Sequence, residues 1–255
     1  MSDGDVFSRT YDTYIRYLNV GAVATETVKS CSLLSCMDAK DYAKPALVTA
    51  VYSFALSVFM AGGGLFLTGR VDWAVLATSF PVAMAVMTLT YVPHALAHIA
   101  MARDLGYDVS YRVDVPKTLV AMVFSVLMAF PLFASGRIVV YGRESKNYED
   151  PTRRKIVEMD IWLMASAGPL MNLINASIGL MAFLVTKIEL VWLFGFVNAG
   201  FAVWSLLPFM GMDGERMMSD KLRWAEMMTS ALLLLILSVI IAIEEGTGAT
   251  SAYAM

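Results

Sequence analysis

Six stretches of the chain carry no charged residue: 45–69, 73–102, 118–136, 161–186, 190–212 and 227–243. Each approaches or exceeds the roughly 20 residues a helix needs to cross hydrocarbon. Polar connections separate them, without an internal repeat or a low-complexity linker. The pattern predicts an all-α polytopic membrane protein with about five to six transmembrane helices. One connection, 137–158, opens with Arg137, Ile138, Val139, Val140 and Tyr141 before Gly142. That β-branched and aromatic run reads as a short strand.

Lysine and arginine concentrate on the cytoplasmic side of membrane proteins, so their placement tests how many runs cross. With the N-terminus inside and all six runs crossing, nine fall inside and ten outside, which is no bias. If 118–136 dips in and returns to the same side, seventeen fall inside, and only Arg70 and Lys187 remain outside. That run is also short and holds Pro131. The count therefore predicts five full crossings and one re-entrant segment, with the N-terminus in the cytoplasm and the protein in the cell membrane.

Composition agrees with a bilayer setting. The chain has 255 residues, 58% hydrophobic and 16% charged, where a soluble domain is about a quarter charged. A net charge of −3 gives no reason to expect a nucleic-acid partner. Residues 1–44 are polar and mixed in charge, unlike a cleaved signal peptide, and read as a cytoplasmic segment. Cys31 and Cys36, within it, read as free thiols. The expected organisation is this segment, a first transmembrane helix in 45–71, a core in 72–216, and a last helix and tail in 217–255.

The only two histidines, His94 and His98, lie inside the second apolar run in "YVPHALAH". Positions four apart share one face of a helix, so both imidazoles can reach one ion. Ionisable groups within a membrane span are expensive and usually mark a site. The plainer alternative is a buried pair bonded to backbone or hydroxyl groups. Zinc suits two imidazoles, and a catalytic zinc site takes three protein ligands. Asp213, in "SLLPFMGMDGE", is the best third candidate. It follows an apolar run in a proline- and glycine-rich stretch, where a helix breaks and can aim a side chain inward. It could equally cap a turn or the next helix. The five-crossing arrangement puts His98 and Asp213 near the same face of the membrane, as a shared ion requires.

With these residues assembled, the chain resembles the site-2 proteases, intramembrane zinc metalloproteases, and looks closest to archaeal members. "HALAH" (94–98) stands where that family has HExxH. "AGPLMN" (167–172) resembles its GPxxN, and "SLLPFMGMDG" (205–214) resembles its NLLPxxPLDG. The resemblance covers roughly residues 72–216. It implies that His94, His98 and Asp213 bind Zn(2+), and that Gly168 and Asn172 shape a substrate cleft along with Ser205 and Pro208. It also implies a β-hairpin beside the active site, matched to "GRIVVY" with Arg137, Ile138, Val139 and Val140, whose edge holds an extended substrate peptide. The implied substrates are single-pass transmembrane proteins, cut within the bilayer near its cytoplasmic side. Ser205 replaces the family's asparagine, and Met210 replaces a second proline.

The third departure concerns the chemistry. The family's glutamate, next to the first histidine, takes a proton from the attacking water and passes it to the leaving amine. Ala95 stands there and has no proton acceptor. Loss of a general base costs on the order of 10²–10⁴-fold in rate, so this chain is expected to be inactive or nearly so. One explanation is a deliberate Glu→Ala replacement that keeps zinc and prevents cleavage. The other is a natural pseudoprotease that binds membrane helices. Retention of every expected metal ligand favours the first. A metal transporter or sensor is a further alternative, but such proteins often show internal repeats and a polar path, which this sequence lacks.

Overall fold

The computed structural model describes residues 39–61, 72–105, 107–113, 136–141, 151–209 and 212–245, with a few positions between 119 and 127. The elements are α1 (Ala39–Met60), α2 (Trp73–Asp104), β1 (Asp108–Val113), β2 (Gly136–Tyr141), α3 (Pro151–Thr186), α4 (Glu189–Ser205), α5 (Asp213–Met217) and α6 (Lys221–Glu245). Cys31, Cys36, Met210 and most of the expected re-entrant run 118–136 lie outside the described residues.

Three helices are long and apolar enough to cross a membrane: Trp73–Asp104, Glu158–Thr186 and Lys221–Glu245. They mark the chain as an α-helical membrane protein. The described apolar parts of the first and fifth runs are shorter, Ala46–Met60 and Glu189–Ser205. Along α3, Ile174, Ile178, Met181 and Leu184 are exposed, as are Leu233, Ile236, Ile240 and Ile243 along α6. A large exposed apolar face costs too much in water to stand unless lipid or protein covers it.

Helix α2 starts cleanly because Asp72 caps it. One carboxylate oxygen accepts from the amides of Ala74 and Val75 at 3.0 and 3.1 Å, satisfying two donors that a helix start leaves open. Helix α3 begins ten residues before the apolar run, so the last eight residues of the polar connection 137–158 are helical. Proline at position 151 fits that start, since the first turn needs no amide from it.

The strand expected at Arg137–Tyr141 is present as β2. It pairs antiparallel with β1, from Asp108 opposite Tyr141 to Val113 opposite Gly136. Twenty-two residues separate the strands, so they are not joined by a tight turn. Strand β1 lies in a polar connection for which no strand is expected. Its signal was alternation, with Val109, Tyr111 and Val113 set between Asp108, Ser110 and Arg112.

The core joins α1, α2 and α4 through Val48, Tyr52, Leu56, Met87, Tyr91, Ala95, Val197 and Phe201. Tyr52 meets Tyr91 edge-on with ring centroids 5.1 Å apart. A buried polar contact crosses the same interface: Asn198 on α4 donates from Nδ2 to Thr90 Oγ1 on α2, at 2.9 Å. A second cluster joins α3, α4 and α6 around Ala165, Leu206 and Met217.

Candidate metal centre

His94 and His98 project from one face of α2, as the spacing of four requires, and both are buried. Their Nε2 atoms lie 3.1 Å apart. Asp213, the first residue of α5, brings Oδ2 to 3.3 Å from Nε2 of His98 and 3.6 Å from Nε2 of His94. These three side chains are the one group among the described residues with the composition and spacing to hold a metal ion. Asp213 does not cap its helix; Met212 occupies that position and makes no side-chain cap bond.

The spacing fits zinc. Tetrahedral coordination with bonds of about 2.0–2.1 Å places ligand atoms roughly 3.3–3.4 Å apart. The observed separations of 3.1, 3.3 and 3.6 Å bracket that edge. Proton positions point the same way for His98. Its Nδ1 lies 2.6 Å from the carbonyl oxygen of Met164. A carbonyl only accepts, so Nδ1 carries the proton and donates. In neutral His98 the Nε2 lone pair then faces Oδ2 of Asp213. Two acceptors at that distance need a cation or a proton between them. An added proton would make the cluster an ion pair, the alternative to a metal.

The supporting elements each meet a steric or electrostatic demand. Gly168 on α3 sits under the imidazoles, where an added Cβ would come within 2.2 Å of Nε2 of His98 and 2.6 Å of Cε1 of His94. Phe201 lies edge-on to His94, with ring centroids 5.0 Å apart, and the Tyr91 ring lies nearly parallel to that of His94 at 6.3 Å. Gly214 packs against the end of α4, where a Cβ would lie 1.9 Å from the carbonyl oxygen of Leu206. The same oxygen accepts from the indole Nε1 of Trp224 on α6 at 2.8 Å. Together these contacts hold the segment carrying Asp213 against the bundle. Burial alone would raise the Asp213 carboxyl. In the metal-free ion pair, the charge of His98 and hydrogen bonds from both histidines instead hold it well below the usual carboxylate range. Arg216 lies 3.9 Å from its other oxygen.

The remaining expected residues divide. Asn172 is fully buried at the site, with Nδ2 3.1 Å from Nδ1 of His94. Gly168 and Asn172 therefore meet the histidines themselves. Ser205 is buried, but its hydroxyl donates to the Ala202 carbonyl of its own helix. Pro208 is exposed on the loop beyond α4. Arg137, Ile138, Val139 and Val140 form the backbone of β2. Ala95 is buried in the apolar cluster with Tyr91 and Phe201. The Met164 carbonyl, Phe201 and Trp224 were missed. A backbone acceptor and a packed ring leave no spacing signal, whereas the Asp-Gly dipeptide does mark Gly214 as a turn. No family model, no curated protein and no solved structure matches the chain.

Proposed function

We propose that the chain is an intramembrane zinc metalloprotease of the site-2 protease type, present here in a form that binds metal without catalysing. The observation that carries this reading is the convergence of Nε2 of His94, Nε2 of His98 and Oδ2 of Asp213 at tetrahedral spacing. These three atoms would hold the ion. Bound zinc supplies a Lewis acid that polarises a scissile carbonyl and acidifies water. The Met164 carbonyl orients His98, and Gly168 leaves room for both rings against α3. Substrates are transmembrane segments of single-pass proteins, and the β1–β2 pair, a two-stranded sheet among the described residues, is the element to which an unwound segment would add as a strand.

In the accompanying topology five segments cross the membrane, with the N-terminus and the histidine site toward the cytoplasm. The charge asymmetry of seventeen to two supports it. A tag at residue 147 reachable only from outside would refute it.

A binding-only protein is the second reading. It is favoured by Ala95, which is 4% exposed within an apolar cluster, so the position suits a methyl group. Zinc analysis of the purified chain, with cleavage of a single-pass reporter by Ala95→Glu, separates the readings. Bound zinc and restored cleavage support the protease. Bound zinc without cleavage leaves the binding protein, and no zinc removes both.

A further inference from the structure

Asn172 is fully buried on α3, and among the described residues its one side-chain partner is Nδ1 of His94, 3.1 Å from Nδ2. Its Oδ1 is buried without a hydrogen-bond partner among the described residues. Asn198, the other buried amide among the described residues, provides a contrast. Its Nδ2 faces the carbonyl oxygen of Phe194 at 2.9 Å, and a carbonyl only accepts, so that amide has one possible orientation. The partner of Asn172 is an imidazole nitrogen, which can donate or accept. A half-turn of the Asn172 amide exchanges its nitrogen and oxygen with almost no change in shape.

The two orientations have opposite consequences for His94. If Nδ2–H donates to Nδ1, the proton of a neutral His94 must sit on Nε2, the atom facing His98 and Asp213. A protonated Nε2 has no lone pair for a cation. If Oδ1 instead accepts from Nδ1–H, the Nε2 lone pair faces the centre, and the oxygen that lacked a partner gains one. His98 needs no such help, because the Met164 carbonyl already fixes its proton on Nδ1.

We propose that Asn172 is a positioning residue that selects the His94 tautomer, its carboxamide oxygen holding Nδ1–H whenever Nε2 binds the ion. This rests on the metal-binding reading above and assigns the side chain a role at the ligand. Supporting hydrogen bonds of this kind typically change metal affinity 10–100-fold.

The test is zinc affinity by chelator competition on the full chain in detergent, for wild type, Asn172→Leu and Asn172→Asp. Leucine has similar volume and no acceptor, whereas aspartate keeps an acceptor. The expected result is zinc bound 10–100-fold more weakly by Asn172→Leu and about as tightly as wild type, or more so, by Asn172→Asp. Nitrogen-15 NMR of the zinc-loaded wild type, which needs no variant, should show a slowly exchanging Nδ1–H on His94. Wild-type affinity in Asn172→Leu, equal weakening in both variants, or a rapidly exchanging His94 Nδ1–H would each overturn the assignment while leaving the metal site standing. Failure of the wild-type chain to bind zinc would remove both.

Discussion

Gly168 lies so close beneath His98 that a single added methyl carbon would stand 2.2 Å from the ring nitrogen that faces Asp213. Two helices, α2 and α3, thus meet at a point where one has no side chain and the other has an imidazole. Small residues let helix backbones approach closely in membranes, and here the approach lets the Met164 carbonyl reach Nδ1 of His98.

Gly168→Ala should therefore displace both rings. Overpacking of this kind costs about 1–3 kcal/mol, and zinc affinity should fall on the order of 10–100-fold with the ligands misplaced. Unfolding in mixed micelles and zinc competition measure the two effects. Wild-type affinity in the variant would show that the rings have room to move aside.

Asp213 joins a segment beyond α4 to two ligands on α2, so an ion bound by all three links separate parts of the chain. Ligand bound only to the folded state stabilises it by about 2.7 kcal/mol at 100 times its Kd. Zinc should raise the unfolding midpoint of the wild-type chain, and a chelator should reverse the gain. Asp213→Ala should lose most of that zinc-dependent increment. A full increment without Asp213 would show that the ion sits elsewhere.

Replacing Ala95 with glutamate should have opposed effects on activity and stability. A general base contributes about 10²–10⁴-fold to proton-transfer chemistry, so reporter cleavage should appear. The same substitution inserts a carboxyl into the cluster of Tyr91, Val197 and Phe201. Burying a polar group without full compensation costs roughly 1–3 kcal/mol on mutational evidence, to be read as a lower unfolding midpoint. Zinc content should be unchanged.

Trp224 acts at a distance. Its indole donates to the Leu206 carbonyl, the oxygen against which Gly214 packs. Trp224→Phe keeps an aromatic ring and removes the donor, leaving that buried carbonyl without this bond at a cost of about 1–3 kcal/mol. Because Gly214 follows Asp213, zinc affinity should also weaken by a few-fold, as chelator competition would show. Lost stability with unchanged affinity would confine the contact to packing.

The sequence by itself was enough to place the chain in a bilayer, to set His94 and His98 on one helical face, and to single out Asp213. Those inferences rest on period and polarity, which act within a few residues. Strand β2 was legible for the same reason, from the run Arg137–Tyr141. The start of α3 was not, because Arg153, Arg154 and Lys155 read as a connection, although charged residues are good helix formers outside the hydrocarbon.

Only the tertiary structure decided what surrounds the histidines. Met164 contributes a backbone carbonyl, which every residue has. Phe201 contributes a ring edge from another helix, and Gly168 and Gly214 contribute the absence of a Cβ at contacts made by distant segments. Asp213 illustrates the division best. In sequence its carboxylate could equally have capped a helix or faced the histidines, and packing decides its direction: with Gly214 against the Leu206 carbonyl, it points toward His94 and His98 on α2. Periodicity specifies which face of a helix a residue occupies, but what that face meets depends on contacts between segments far apart in the chain.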